Sequence, residues 1–306
     1  MNSYPSGITN AAIIPKEDVD PDDFPGISLS SSSSALTSAN SQLNSMQYGN
    51  ILTLNGNCED FVGRLIYDYE IGNILYWELS DDDVIINIDA YSSEIIFYQR
   101  TGWTDGDLTE AQALALAPNI ANQFCSIPSD ADQPSISLET PIELAYIDPS
   151  TNNYITTDCD FWYIEYYRIR EQIVCEDYIR VAINPNGYLH IYSKIWFMDF
   201  TNFNYNYTIT LNNAVITAQA YLSETFGESG TYKSGMKRII RPNYCWNVTE
   251  GPEDEDGNKT LGYGLEQMVV WEILIQTSDL DQFILQVHGR ENRIVGGDIT
   301  PLFYST

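Results

Sequence analysis

The residues of this chain that could act as bases or nucleophiles are few and stand far apart. It has two histidines, His190 and His288. Histidine is the usual base for a Ser or Cys nucleophile at neutral pH, but no motif gives either one a partner. The zinc pattern H-E-x-x-H, the phosphate loop G-x-x-x-x-G-K-[S/T] and the elbow G-x-S-x-G do not occur. We therefore predict a protein without enzyme activity or cofactor, in which both histidines are structural or surface residues.

A carboxylate-based enzyme stays open as an alternative. The chain has 43 acidic residues, so their closeness in sequence says nothing about a catalytic pair. Only acids from several segments meeting in one deep cleft would favour it.

The cysteines favour disulfides or burial over a metal site. None of them forms the C-x-x-C spacing of zinc ribbons and thioredoxin-like motifs. Cys159 and Cys175 flank what reads as one strand and its return, so they are the predicted disulfide pair. The alternative is small, buried hydrophobic side chains. The five cysteines are Cys58, Cys125, Cys159, Cys175 and Cys245.

Acidic residues dominate the charge and limit the partners. With 43 Asp and Glu against 14 Lys and Arg, the formal net charge is -29 at pH 7. Such a field repels phosphate backbones and anionic membranes, so nucleic acid is excluded as a partner. No run of about 18 apolar residues predicts a membrane span. We expect other proteins, or copies of this chain, as partners.

One acidic run, residues 253–258, invites a calcium interpretation. Hard cations prefer clustered carboxylates, but an EF-hand loop also needs Gly at position six and Glu at position twelve. Counting from Asp254, those positions hold Lys259 and Leu265. A solvated turn is the favoured interpretation because Asp-Gly is a turn signal, and calcium remains the alternative.

The location of the protein is indicated only indirectly. Residues 1–26 lack the basic and apolar regions of a signal peptide. Asn206, Asn247 and Asn258 each begin an N-x-[S/T] sequon, which makes them candidate glycosylation sites and is compatible with export. We expect an extracellular or cell-surface protein whose leader has been removed, with an intracellular protein as the alternative.

Two helices are predicted by a repeated pattern. T-x-x-[Q/N]-A-[L/V]-x-x-A begins at Thr109 and again at Thr210. Thr is a favourable N-cap, and small residues four positions apart make a flat face that can lie close on a sheet. The first helix should run to about residue 124, with a kink or break at Pro118, and the second should end at Gly227.

The rest of the chain divides into a polar arm and strand-rich segments. The arm has several Pro and Gly residues and an unbroken serine run, so it should be flexible unless it docks. Within it, Ile13 and Ile14 are candidate donors of an added strand to the sheet edge of a neighbouring copy. The predicted domains are 1–46, the flexible arm; 47–105, a β-rich module; 106–200, a first helix-containing module; and 201–306, a second one.

A dense aromatic strand predicts two partly apolar sheet faces. In residues 161–167, alternation places Trp162, Ile164 and Tyr166 on one face and Phe161, Tyr163 and Tyr167 on the other. One interpretation is burial on both sides. The functional interpretation is a tyrosine-rich surface that contacts another protein.

The strand endings carry a family resemblance. Residues 88–95, I-D-A-Y-S-S-E-I, resemble the strand-turn-strand ending V-D-A-x-T-G-E-I of PepSY domains, and 183–189 and 287–294 are looser versions. Asn292 stands where the family has Gly and can adopt a left-handed conformation. The Thr-led helices also resemble this family, over about residues 106–200 and 201–299, with a partial copy at 63–98.

The resemblance implies an α+β fold of tandem modules, each an antiparallel sheet packed by one helix, after an N-terminal meander and extended arm. It also implies binding or inhibition rather than catalysis. We therefore expect an exported protein that acts through protein association, at the cell surface or as a subunit of an extracellular filament or other assembly. The alternative is a peptidase inhibitor or a prodomain-like chaperone.

Overall fold

The computed structural model shows a mixed α+β protein, which confirms the α+β part of the predicted fold class. The structure describes residues 17–46, 62–68, 74–80, 84–100, 106–139, 144–147, 154–157, 161–240, 267–277 and 282–300. The helices are α1 (Ser32–Ser45), α2 (Glu110–Phe124) and α3 (Leu211–Phe226), with a 3-10 turn at Pro21–Asp23. The strands are β1 (Glu17–Asp18), β2 (Val62–Asp68), β3 (Ile74–Ser80), β4 (Val84–Asp89), β5 (Ile95–Arg100), β6 (Ser135–Glu139), β7 (Leu144–Ile147), β8 (Tyr154–Thr157), β9 (Phe161–Arg170), β10 (Ile173–Ile183), β11 (Leu189–Ile195), β12 (Gly230–Ile240), β13 (Met268–Thr277), β14 (Gln282–His288) and β15 (Ile294–Thr300).

Both predicted helices begin where the sequence placed them. The Thr109 hydroxyl accepts from the Gln112 backbone N–H in a capping box, and Thr210 caps α3. Gly227 ends α3 at φ 70, in the left-handed conformation that glycine adopts without strain. The break predicted at Pro118 does not occur, since α2 continues to Phe124. Burial of the helix face on both sides of Pro118 offsets the lost backbone hydrogen bond.

A third helix, α1, lies inside the predicted arm. Ser31 caps it in a capping box with Ser34, and Ala35, Ala39 and Leu43 are buried. These residues follow their cap at the same spacing as the buried alanines of α2 and α3. The helix was missed because its first turn is serine, which reads as linker by composition.

The described part of the arm is docked rather than flexible. β1 pairs with β2, and Val19 N–H donates to the Leu65 carbonyl at 2.9 Å. The Phe24 ring stacks on Tyr67 with the ring centroids 5.7 Å apart. Order in residues 17–46 therefore comes from burial on the adjacent sheet. Ile13 and Ile14 lie outside the described residues, so their role as strand donors stays a prediction.

The strands that follow the three helices form three groups: β2 to β5, then β6 with β9, β10 and β11, and finally β12 to β15. Between β6 and β9, the strands β7 and β8 pair with each other in a separate two-stranded sheet. Successive strands of the first and third groups pair antiparallel, as do β6 with β9 and β10 with β11. The strand β12 was not predicted, because its Gly, Ser and Lys residues hide the alternating pattern.

The chain contacts divide the protein into two compact units. Of the described residues, the N-terminal unit contains 17–168 and 177–197, and the C-terminal unit contains 169–176 and 198–300. This differs from the predicted border at residue 105, because the helices α1 and α2 pack on one shared core. In the N-terminal unit, β5 and β11 also pair antiparallel, so the two sheets continue into each other.

Candidate association surface

The same tryptophan contact holds the start of each helix. In all three groups, the indole N–H of the second strand donates to a backbone carbonyl just before the helix cap. The three bonds, each 2.8 Å long, are Trp77 to Leu29, Trp162 to Leu108 and Trp271 to Ile209. Each helix is thereby fixed on one face of its own sheet, and the other face is left for other contacts.

Two of the turns between the third and fourth strands are held by the same kind of hydrogen bond. The Asp89 carboxylate accepts from the backbone N–H groups of Tyr91 and Ser92, and His288 Nδ1 accepts from those of Arg290 and Glu291. Such bonds let a side chain replace a missing backbone partner in the turn. His288 therefore serves as a turn acceptor, which requires an unprotonated Nδ1.

One residue in each of these turns has a left-handed backbone conformation, as the sequence predicted for Asn292. Asn292 has φ 52, which confirms the predicted tolerance, and the corresponding Ser93 and Gly187 have φ 61 and 89. A glycine is thus dispensable here, although Ser and Asn adopt this conformation at some cost in energy.

His190 is buried in the N-terminal unit and has no catalytic setting. Its ring stacks on Phe161 with centroids 4.2 Å apart, and burial lowers its pKa. A base with a depressed pKa could in principle act near neutral pH. However, its Nδ1 is buried without a hydrogen-bond partner, so no nucleophile among the described residues is aligned with that nitrogen.

The buried His190 should make stability fall as the pH drops below about 6.5, the ordinary value for histidine. Because the folded pKa of His190 is lowered, the unfolded chain takes up this proton at a higher pH than the folded chain, so unfolding is favoured as the pH falls. The effect is at most about 1.4 kcal/mol per pH unit for one proton. We expect the free energy of unfolding, measured with urea between pH 5 and 7, to change less with pH for His190→Asn than for the wild type. An equal pH dependence of the free energy of unfolding in both proteins would mean that the folded chain protonates His190 as readily as the unfolded chain does.

Arg168 forms the most buried ionic cluster of the described residues. It donates to Asp130 at 2.8 Å and to Asp177 at 2.9 Å, and it lies over the Trp196 ring at 5.5 Å. Asp177 is fully buried and also accepts from the Phe197 N–H at 3.2 Å. The cluster joins a loop and two strands, which gives it a structural role.

Neither described cysteine is set up as a nucleophile. Tyr192 donates to Cys125 Sγ at 3.2 Å, and burial raises the pKa of the Cys125 thiol, so the reactive thiolate is disfavoured. Cys175 is buried, with its Sγ 3.8 Å from the Ile173 carbonyl. Its predicted partner Cys159 lies outside the described residues, so that disulfide stays a prediction.

Of the predicted glycosylation and calcium sites, the structure describes only Asn206. Asn206 is exposed, as a glycosylation acceptor must be. Asn247, Asn258 and the acidic run 253–258 lie outside the described residues. Among the residues that are described, no three His, Cys, Asp or Glu side chains converge to hold a metal ion.

The tyrosine face lies on the side of β9 and β10 opposite α2. We define it as Tyr163, Glu165, Tyr167, Tyr178 and Arg180. All five side chains are half-buried, while Ile164 and Tyr166 point into the core, as alternation predicted. The Arg180 guanidinium lies 5.1 Å from the Tyr178 ring and 5.7 Å from the Tyr163 ring.

Hydrogen bonds make this face rigid. Glu165 accepts from Arg180 Nε and from the Tyr167 hydroxyl, at 2.7 Å each. Tyr and Arg are the residue types enriched at protein interfaces, because they offer large contact areas at a small cost in conformational entropy. A fixed, half-buried array of them is suited to docking a protein surface.

The strand β6 borders this face. Within the described part of the chain it pairs with β9 alone, in antiparallel register, with Ser137 opposite Tyr163. Leu138 is 51% exposed, and it is one of the few large apolar side chains that are exposed among the described residues. Sequence analysis did not identify β6, since five residues are too few for a periodic signal.

Comparisons with known proteins include a structural likeness. No family model matches the sequence, and no curated protein matches it. The structure is similar to the C-terminal domain of YpeB from Bacillus megaterium, at 10% identity and a TM-score of 0.41, over 88% of this chain and 97% of that one. A likeness of this size does not establish a shared fold. None of the described helices is long and apolar enough to span a bilayer.

Proposed function

We propose that this protein is a non-enzymatic, exported protein of three tandem PepSY-like modules that acts through protein association. Three copies of one arrangement support the modular part of the proposal: a capped helix, a four-stranded sheet that β7 and β8 interrupt in the second copy, and a tryptophan that holds the helix start. The copies differ in their cores, as expected of diverged repeats. The favoured form of association is self-assembly at the cell surface or in an extracellular polymer.

The tyrosine face is the observation that carries the association role. It is an ordered array of three tyrosines and one ion pair on the side of the sheet away from α2. No residue in it, nor either histidine, is arranged for catalysis. A surface with this composition binds by shape and aromatic contact rather than by charge.

Light scattering of the purified chain tests self-assembly. We expect the mean mass to rise with concentration, and to rise less for a chain that lacks residues 1–16, which carries no Ile13 or Ile14. That truncation leaves β1 in place, so the docked segment stays intact. A monomer at all concentrations for the full chain would contradict self-assembly.

A peptidase titration separates this proposal from its alternative. If the protein were an inhibitor or a prodomain-like chaperone, it should reduce the activity of thermolysin-like peptidases. We expect no loss of activity, because the proposed partner is a copy of this chain rather than a peptidase.

A further inference from the structure

We propose that the turn at residues 288–293 is a pH-sensitive latch on the start of α3, which opens when Nδ1 of His288 takes up a proton. The proposal goes beyond the association role and does not depend on it. The latch is the set of hydrogen bonds that joins this turn to the segment before α3. Its trigger is one imidazole nitrogen, which can accept hydrogen bonds when it is bare but not when it carries a proton.

The His288 side chain holds the turn closed from inside. Its Nδ1 accepts from the backbone N–H groups of Arg290 and Glu291, at 3.1 Å each. His288 is 5% exposed, so little water can replace these bonds when they break. A proton on Nδ1 turns the acceptor into a donor and sets a cation against two N–H dipoles. The imidazolium form therefore loses both hydrogen bonds.

The same turn holds the segment that leads into α3. The Gly289 carbonyl accepts from the backbone N–H groups of Thr208 and Ile209, at 3.0 Å each. The Arg290 carbonyl accepts from the Thr208 hydroxyl, also at 3.0 Å. These carbonyls belong to the two residues that directly follow His288, so their orientation depends on the bonds that its ring makes. Opening the turn therefore releases the segment before α3.

The first group of strands has the same latch with a different acceptor. The Asp89 carboxylate holds its turn as the His288 ring does, through the N–H groups two and three residues on. The next carbonyl, of Ala90, accepts from the N–H groups of Ser28 and Leu29 before α1, at 2.9 and 3.1 Å. A carboxylate ordinarily stays an acceptor down to about pH 4, whereas an imidazole ordinarily gains its proton near pH 6.5. Of these two latches, the one with histidine is therefore the one that responds to mild acid.

Burial is the main influence on the pKa of His288 and lowers it. Glu291 raises this pKa, while Arg293 and Arg290 lower it. Because the pKa is lowered in the closed latch, the open form binds the proton more strongly, so a falling pH favours opening. The charged or titratable groups that the described elements around the ring present are Glu291, Arg290 and Arg293 of the turn, Glu272 of β13, Arg238 of β12 and Tyr207 before α3.

Hydrogen exchange of the full chain tests the latch at its own bonds, with each rate compared with the intrinsic rate at the same pH. From pH 7 to pH 5, the protection of the Thr208 and Ile209 amides should fall at least about threefold more in the wild type than in His288→Asn, within the limit of about tenfold per pH unit for one proton. Asparagine places Oδ1 where histidine has Nδ1 and stays neutral, so this variant keeps the acceptor without the titration. Amides in the middle of β13 and β14 are the reference and should change equally in both proteins.

A titration of the His288 ring by NMR tests the same claim with the latch intact. In His190→Asn, His288 is the single remaining histidine, so its signal needs no further assignment. We expect a midpoint below about pH 6.5, with the protection of the Thr208 and Ile209 amides falling as the ring is protonated. A midpoint at or above that value would overturn the proposal.

Two results of the exchange experiment would also overturn it. The first is an equal loss of protection at Thr208 and Ile209 in the wild type and in His288→Asn, which would mean that the ring does not control the turn. The second is a loss in the wild type that is as large in the middle of β13 and β14 as at these two amides. The segment before α3 would then open only when the whole unit unfolds.

Discussion

Replacing Ala218 by Leu is expected to lower the free energy of unfolding of the C-terminal unit by about 2–3 kcal/mol. Ala218 is fully buried where α3 lies on its sheet, between the buried residues Ala214 and Leu222. The small side chain lets the helix approach the strands closely. A leucine at this position would meet Ile273 or Ile275 and force the helix outward.

Ala220→Leu is the matched control in the same helix. Ala220 is exposed, so the added side chain extends into solvent, and leucine is nearly as good a helix former as alanine. We expect a change within about 0.5 kcal/mol. Urea unfolding followed by tryptophan fluorescence measures both variants. Equal losses would show that the small-residue face does not set the distance between helix and sheet.

Arg168→Met should destabilise the N-terminal unit by about 3–5 kcal/mol, the largest effect expected of any single substitution here. The loss of the guanidinium leaves the carboxylate of Asp177 buried, fully shielded from solvent, without the arginine that pairs with it. Asp130 is 23% exposed and can recover hydration in part. The cost therefore comes mainly from Asp177.

Two further variants separate this ionic effect from the loss of packing. Arg64→Met removes an exposed arginine of the same unit that pairs with Glu78, and should cost no more than about 1 kcal/mol. Adding Asp177→Leu to Arg168→Met should restore part of the lost stability, because the buried carboxylate that lost its arginine is then gone. If the double variant is less stable than Arg168→Met alone, the buried charge is not the cause.

The sequence predicted the elements whose signals are local. Thr109 and Thr210 each precede an alanine pair at helical spacing, so cap and face could be read together. The alternation in residues 161–167 likewise separated the core side from the tyrosine side. The residue type of Asn292 was enough to predict its left-handed backbone conformation. In each case the signal lies within about ten residues.

The missed features depend on contacts between distant residues or on ambiguous composition. Ser31 begins α1 with the same spacing of alanines, but the serine run around it reads as linker. Arg168 and Asp130 lie 38 positions apart, and no pattern links them. The strand β6 is identified by its pairing with β9, which lies farther along the chain. Reading the alanine pair Ala35 and Ala39 against the other two would have revealed the third helix.

Sedimentation velocity of the full chain at low and high salt tests the association role most directly. At about 50 mM salt the repulsion between acidic copies should keep the protein largely monomeric. At about 0.5 M salt, with concentration raised from micromolar to near millimolar, the sedimentation coefficient should increase. An unchanged monomer coefficient throughout that range would contradict the proposal that this protein works by assembling with copies of itself.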